Sequence, residues 1–204
     1  MKRLNTIVSY INSDDVVVDV GCDHGYLLEL AINNKNIKKC YAVDNKIGPL
    51  NSARNNLKNY KNVEFVLSDG LISLNGDYNT VVIAGMGGML INKIFTDSIE
   101  KFQDVNKVIV APNKNSEKVR AEFTTNGFKI YDETIVYEDG IFYEIICFEK
   151  GIQNLTEKEL VFGPINLFKK EPLFKEKWSN YYSRIKDIES KEKEKKLILE
   201  VLND

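Results

Sequence analysis

The sequence predicts an α/β fold built around a doubly wound, mostly parallel β-sheet. Short runs rich in β-branched residues alternate with helical stretches through most of the chain, which is the pattern of successive βαβ units. These runs are apolar on both faces, as expected for strands that helices cover on either side. With 204 residues, of which 43% are hydrophobic, the chain is long enough for one full domain and a small appendage.

Five short apolar runs predict the parallel strands, and the stretches between them predict helices. The strands are Val16–Val20, Lys39–Asp44, Val63–Leu67, Thr80–Ala84 and Lys107–Ala111. The helices are residues 27–33, 48–58, 89–102 and Ser116–Thr125. Two longer strands, 129–138 and 141–149, flank Asp139-Gly140, a dipeptide that favours a tight hairpin turn. An antiparallel pair is therefore expected to close the sheet.

The last quarter of the chain changes in character. We expect residues 1–150 to form the main domain and residues 151–204 a short helical, coiled-coil-like extension. Thr156 and Glu159 have the spacing of a helix capping box, and larger side chains further on recur at intervals of four and three residues. Because the run 190–196 carries no apolar residue, one long helix and a short helical hairpin both remain possible.

Composition argues against several protein classes. No apolar run approaches the roughly 18 residues of a membrane span, and the first residues lack the apolar stretch of a secretory signal, so we expect a cytoplasmic protein. Cys22, Cys40 and Cys147 are widely spaced and His24 is the single histidine, which argues against a disulfide framework and against a metal site. With a net charge of -2, any nucleic-acid surface must be a local patch.

The strongest local indication of function is the turn after the first predicted strand, D-V-G-C-D-H-G-Y at residues 19–26. A dinucleotide-binding turn has the form G-x-G-x-x-G, but here Asp23 and Tyr26 occupy the second and third glycine positions. A diphosphate would meet a carboxylate there. S-adenosylmethionine has no phosphate and carries an ammonium and a sulfonium cation, which suit Asp19 and Asp23. The acidic strand end at Asp44 suits a ribose.

Seven short blocks, in their order and spacing, resemble the TrmK family of bacterial tRNA (adenine(22)-N(1))-methyltransferases. They are the turn already quoted, A-V-D-N-K-I-G-P-L-N-S-A at 42–53, S-D-G-L at 68–71, I-A-G-M-G-G at 83–88, A-P-N at 111–113, E-D-G-I-F-Y-E-I at 138–145 and G-P at 163–164. The resemblance implies a class I methyltransferase with a Rossmann-like seven-stranded sheet. It also implies S-adenosyl-L-methionine as cofactor and tRNA as partner; we expect no obligate protein partner and a monomer.

The resemblance further implies which residues form the site. Cofactor contacts are expected at Asp19, Gly21, Asp23, Asp44, Asn45, Asp69, Gly70, Gly85 and Met86. Candidates for orienting the target adenine and stabilising its developing positive charge are Asp23, His24, Tyr26 and Asn113. The segment after the fourth strand lacks the Asn/Asp-Pro-Pro-Tyr/Phe motif of enzymes that methylate exocyclic amines. This absence argues against methylation of an exocyclic amine.

Two groups of basic residues are candidate phosphate contacts. They are Lys169, Lys170, Lys175 and Lys177 in the extension, and Lys114, Lys118 and Arg120 after the fifth strand. Trp178, Tyr181 and Tyr182 could stack on bases, although aromatic residues at helical spacing more often belong to a core. Two other functions stay open from the sequence: a class I methyltransferase acting on another RNA base or a small molecule, and a non-catalytic RNA-binding module.

Overall fold

The computed structural model describes residues 1–203, which form a seven-stranded sheet. The strands are β1 (Val16–Val20), β2 (Lys39–Asp44), β3 (Val63–Leu67), β4 (Thr80–Ala84), β5 (Lys107–Ala111), β6 (Phe128–Glu138) and β7 (Ile141–Lys150). Their order in the sheet is β3-β2-β1-β4-β5-β7-β6. The five short strands are parallel, and β7 pairs antiparallel with both β5 and β6. The predicted α/β fold and its closing antiparallel pair are confirmed.

The α-helices connect and cover these strands. They are α1 (Lys2–Ser9), α2 (Tyr26–Lys35), α3 (Ile47–Asn56), α4 (Gly88–Asp97), α5 (Ser116–Thr125), α6 (Glu157–Phe162), α7 (Pro164–Lys169), α8 (Pro172–Ile185) and α9 (Glu192–Asn203). Among residues 1–203, none of the helices has both the length and the apolar character needed to cross a membrane.

One helix prediction needs correction, and one helix of the structure was not predicted. The single helix predicted over 89–102 is wrong, because α4 ends at Asp97 and a 3₁₀ turn follows at Ile99–Phe102. Ser98 leaves the helical region with φ of -131°, and its hydroxyl donates a hydrogen bond to the Ile94 carbonyl at 2.6 Å, which competes with continued helix. Helix α1 is absent from the predicted elements.

Two apolar layers enclose the sheet. Helices α4 and α5 contribute to one layer and α1, α2 and α3 to the other. Successive residues of β1 alternate between the layers, with Val18 and Val20 in the first and Val17 in the second. The same alternation directs the buried Asp19 toward the second layer. Because β1 to β5 are parallel, their carboxyl ends meet at one edge of the sheet, which carries most of the predicted site residues.

The C-terminal helices form a hairpin. Helix α8 ends at Ile185, a 3₁₀ turn follows at Glu189–Lys191, and α9 folds back against α8. One long helix is not formed, because the chain turns between Lys186 and Lys191, and most of the apolar-free run 190–196 lies at the start of α9. Of the two forms left open by the sequence, the helical extension takes that of a short helical hairpin. Trp178 is buried in the apolar cluster beneath this hairpin, which confirms the core interpretation of that residue.

The capping box predicted before α6 is confirmed. The Thr156 amide donates to Glu159 Oε2 at 2.8 Å, and the Glu159 amide donates to Thr156 Oγ1 at 3.3 Å. These reciprocal bonds satisfy two of the amides that the first turn of a helix leaves free. They fix the point at which the chain turns from the sheet into the extension.

A buried network of charged side chains joins the extension to the sheet. Arg120 Nε donates to Glu133 Oε1 at 2.9 Å, and Lys177 Nζ lies 2.6 Å from Glu144 Oε1. Arg120 also donates to the Leu160 carbonyl at 3.0 Å. The prediction that Arg120 and Lys177 contact phosphate is therefore wrong, because Arg120 is completely buried and both cations are committed to internal carboxylates.

Glu144 illustrates how this network balances its charges. Burial alone would raise the pKa of this carboxyl group, but Lys177 and then Arg120 lower the pKa to about 2. The carboxylate therefore stays ionised inside the protein. It belongs to the E-D-G-I-F-Y-E-I block at 138–145, so this part of the motif serves the attachment of the helices rather than the site.

Candidate active site

The turn after β1 is shaped by residues with left-handed backbone conformations. Gly21 has φ of 77° and Gly25 has φ of 74°, which glycine adopts without steric cost. The Gly21 amide donates to the Val43 carbonyl at 2.8 Å and so ties the turn to β2. A Cβ atom on Gly21 would lie 2.1 Å from Met86 Cε. A side chain there would require the end of Met86, which lies against the turn from the end of β4, to move, and the positive φ independently favours glycine.

Two buried carboxylates lie at the ends of β1 and β2. Asp44 Oδ1 accepts from the Lys46 amide at 2.9 Å, and Oδ2 accepts from the Asp23 amide at 3.4 Å. Asp19 is 4% exposed, and burial followed by the charge of Asp44 raises its pKa to about 7. No hydrogen-bond donor among residues 1–203 contributes to that pKa. A cation supplied by a ligand therefore fits this carboxylate.

His24 and Tyr26 lie side by side at the rim of the same turn. Their rings are stacked, with centroids 5.5 Å apart and planes at 24°. His24 Nε2 lies 3.7 Å from Asp23 Oδ1, which is too long for a direct hydrogen bond. About half of each aromatic side chain is exposed. The turn thus presents a small aromatic surface flanked by the exposed carboxylate of Asp23.

The ends of β2 and β3 are also joined. The Ser68 amide donates to the Asp44 carbonyl at 2.9 Å, which places Asp69 and Gly70 beside the acidic end of β2. Asp69 and Asn45 have exposed side chains. Gly70 has φ of 61°, and a Cβ atom there would lie 2.9 Å from Ile94 Cγ2. The structure therefore gathers the residues predicted from the first three strand ends at one edge.

Asn113 is hydrogen-bonded to the segment at the end of β4. Its side-chain amide donates to the Gly85 carbonyl at 2.8 Å, and its backbone amide donates to the Met86 carbonyl at 2.8 Å. Gly85 has φ of 76°, and a Cβ atom there would meet nothing within 4 Å. Open space therefore lies beside Gly85. Asn113 therefore lies close to Gly85 and Met86. Met86 also lies against the turn after β1, so it connects that turn with the end of β4.

The segment after β4 packs closely against the segment after β5. The Gly88 amide donates to the Lys114 carbonyl at 2.8 Å. A Cβ atom on Gly88 would lie 2.5 Å from the Asn115 carbonyl oxygen, so the residue must be glycine for the two segments to meet. Met89, which follows, is 62% exposed at the same edge and is not among the predicted site residues. The sequence could have indicated Met89 as a site residue, because it is an apolar residue directly after two glycines at the start of a helix.

Strand order, the acidic ends of β1 and β2, and a first turn without the dinucleotide-binding glycines define a Rossmann-like class I methyltransferase. The family model described as tRNA (adenine(22)-N(1))-methyltransferase, TrmK, matches residues 17–204. The chain therefore belongs to the TrmK family, and the resemblance drawn from seven sequence blocks is confirmed.

Three relatives illustrate this membership. The tRNA (adenine(22)-N(1))-methyltransferase of Bacillus subtilis (strain 168) is 28% identical over 197 residues, which cover 92% of this chain and 83% of the relative. A proposed tRNA (m1A22) methyltransferase from Streptococcus pneumoniae, solved with S-adenosyl-L-methionine, has a TM-score of 0.88 and 30% identity, covering 100% of this chain and 96% of that chain. TrmK of M. capricolum, solved with S-adenosyl-homocysteine, has a TM-score of 0.83 and 26% identity, covering 100% and 94%.

Proposed function

We propose that the chain transfers a methyl group from S-adenosyl-L-methionine to N1 of adenine 22 in tRNA. The match of the family model to residues 17–204 carries this proposal. The alternative of a non-catalytic RNA-binding module has less support, because the buried Asp19 still offers a site for a cationic ligand. Methylation of another RNA base has less support because the matched family is named for this one position.

We assign the cofactor to the edge formed by the ends of β1 to β4. Asp19 would receive the ammonium group, with Gly21 and Asp23 shaping that end of the site, and Asp44 with Asn45 would accept hydrogen bonds from the ribose hydroxyls. We assign the adenine end and the methyl-bearing end of the cofactor to the remaining residues, Asp69, Gly70, Gly85 and Met86. S-adenosyl-L-methionine supplies a methyl group on a sulfonium cation.

The target adenine must be positioned rather than activated. N1 carries an in-plane lone pair, so alignment contributes more than a strong base would. The base has to leave its stack in folded tRNA to reach the site. The half-exposed rings of His24 and Tyr26, together with Met86 and Met89, offer surfaces for the extruded ring.

Charge develops on the adenine ring as N1 is methylated. The Asn113 side-chain nitrogen donates to the Gly85 carbonyl, so the amide oxygen of Asn113 is left to accept from the N6 amino group. The exposed carboxylate of Asp23 lies on the other side of the site and favours the cationic ring. Since all of these residues belong to one chain, we propose that the enzyme acts as a monomer. Because tRNA is the proposed substrate, we propose that the reaction takes place in the cytoplasm.

The test is transfer of labelled methyl from S-adenosyl-L-methionine to unmodified bacterial tRNA, followed by nucleoside analysis and mapping of the modified position. N1-methyladenosine at position 22 is the expected product, and tRNA carrying guanosine at position 22 is the matched control. Label at another position would assign a different RNA target. Binding of the cofactor with no transfer to any tRNA would support the non-catalytic alternative.

A further inference from the structure

The hairpin formed by β6 and β7 extends beyond the carboxyl ends of the parallel strands, at the edge of the sheet that carries the site. Val110 near the end of β5 pairs with Ile146 of β7. Phe142 precedes Ile146 by four residues on β7, a distance of about 13 Å in an extended strand. Tyr137 of β6 pairs with Phe142 across the hairpin. Because β7 is antiparallel to β5, this overhang extends from the carboxyl edge of the parallel strands.

An aromatic pair occupies the overhanging part of the hairpin. The rings of Tyr137 and Phe142 have centroids 4.6 Å apart. Phe142 also packs against the apolar cluster under the C-terminal hairpin, whereas Tyr137 remains 40% exposed. On the other face of the hairpin, the Arg3 guanidinium lies 4.5 Å over the Tyr143 ring, so α1 braces this region. Tyr137 is thus an exposed ring on a supported backbone.

Two exposed lysines follow the strand that separates, in the sheet order, the glycine-rich turn after β4 from the β6–β7 hairpin. Lys114 and Lys118 follow β5, and β5 lies between β4 and β7 in the sheet. Lys114 Cε lies 3.4 Å from the position of a Cβ atom on Gly87, so this side chain runs along the glycine turn. No salt bridge among residues 1–203 uses either lysine.

We propose that Lys114, Lys118 and Tyr137 form an RNA path, on which the nucleotides flanking the extruded adenine lie. The lysines would contact phosphates, and Tyr137 would stack on one unpaired base. Exposed cations combined with an aromatic platform are the means by which proteins hold single-stranded RNA. A chain with a net charge of -2 needs such a local patch to bind RNA. The inference rests on the proposed function.

Steady-state methyl transfer with varied tRNA concentration tests the RNA path. For Tyr137→Ala we expect a KM for tRNA about tenfold higher, with kcat and the Kd for S-adenosyl-L-methionine unchanged. Tyr137→Phe should restore the KM, because phenylalanine retains the stacking ring. Phe168→Ala is the matched control: Phe168 is 90% exposed, and its neighbour Lys169 pairs with Asp132, five residues before Tyr137 on β6. This control should behave as the wild type.

The lysines are tested by salt dependence. Lys114→Ala should raise the KM for tRNA and reduce the slope of log KM against log salt concentration by about 1. Tyr137→Ala should leave that slope unchanged, because the ring carries no charge. A wild-type KM in Tyr137→Ala, or a failure of Tyr137→Phe to restore it, would overturn the RNA path.

The two proposals can fail separately. If the wild-type chain methylates position 22 while the variants match it, only the RNA path is lost. If the wild-type chain leaves tRNA unmethylated, the proposed function fails. Direct tRNA binding by the same variants, measured by filter retention, then judges the RNA path independently: equal binding by the wild type and Tyr137→Ala rejects it.

Discussion

We expect Asp19 to make cofactor binding depend on pH. Burial, followed by the charge of Asp44, raises the pKa of this side chain from 3.8 to about 7. The ammonium group of the cofactor favours the ionised carboxylate, which is a minor species at pH 6 and the major one at pH 8. We therefore expect the Kd for S-adenosyl-L-methionine to fall about tenfold between these pH values. Isothermal titration calorimetry of the wild type and of Asp19→Asn checks this, since the variant should bind weakly with little pH dependence.

The same pKa shift sets a stability trend for the protein without cofactor. The folded pKa lies above the unfolded one, so the contribution of Asp19 to stability is fully present below about pH 4 and is lost as the pH rises through 7. From pH 6 to pH 8 this residue should lower the free energy of unfolding by on the order of 1 kcal/mol. Urea unfolding of wild type and Asp19→Asn measures the difference. An identical pH trend in the two proteins would contradict the assignment.

Gly88 and Gly87 form a matched pair for testing the contact between the segments after β4 and β5. Gly88→Ala would set a Cβ atom 2.5 Å from a backbone carbonyl oxygen, whereas Gly87→Ala meets only the flexible Lys114 side chain at 3.4 Å. We expect Gly88→Ala to lower stability by about 1–3 kcal/mol and to reduce methyl transfer strongly. Gly87→Ala should change both far less. Thermal unfolding and initial rates report the two effects, and equal behaviour of the two variants would refute the explanation.

The location of the candidate site could be predicted because acidic residues and glycine turns follow the strands directly. Asp19 and Asp44 end buried strands, and parallel strands bring their carboxyl ends to one edge; the contacts of these residues with cofactor and adenine stay predictions. The burial of Arg120 and Lys177 could not be predicted, because it depends on Glu133 and Glu144, which are distant in the sequence.

At the scale of elements, the five parallel strands were predicted with their observed bounds. Each is a short, mostly apolar run bounded by polar or turn-forming residues, so local sequence determines its limits. Helix α1 carries a comparable signal, since Leu4, Ile7, Val8 and Ile11 recur at helical spacing and the last three are buried. The form of the C-terminal hairpin could not be predicted, because α9 is positioned by packing against α8.

The buried charge network should contribute strongly to the attachment of the extension. Arg120→Met leaves Glu133 without its partner and places Glu144 opposite Lys177 alone. Breaking a buried pair typically costs about 3–5 kcal/mol, and we expect a loss of that size in the free energy of unfolding. Lys129→Met is the control, because its pair with Glu149 is exposed and should be worth about 1 kcal/mol or less. Similar losses in both variants by urea unfolding would count against the network.

At the scale of the whole molecule, the proposed division at residue 150 does not imply two independent folding units. Residues 1–150 alone would expose Ile135 and would remove Lys177 and the Leu160 carbonyl from the buried charges. We expect this fragment to lose cooperative thermal unfolding. Circular dichroism and size-exclusion chromatography test this, with full-length Lys158→Ala as a control that alters only an exposed pair. A fragment with a wild-type Tm would show that the main domain folds alone.

The buried network also orders events during synthesis. Arg120, Glu133 and Glu144 leave the ribosome before Leu160 and Lys177, which complete their hydrogen bonds and charge balance. The five parallel strands pair with one another without any residue from the last quarter of the chain, so the nascent protein can pair them early. The antiparallel strands β6 and β7 can complete their contacts only after the final helices have been synthesised. A stalled or slowly translated chain is therefore exposed to chaperones and proteases at the β6–β7 side of the sheet, and not along β1 to β4.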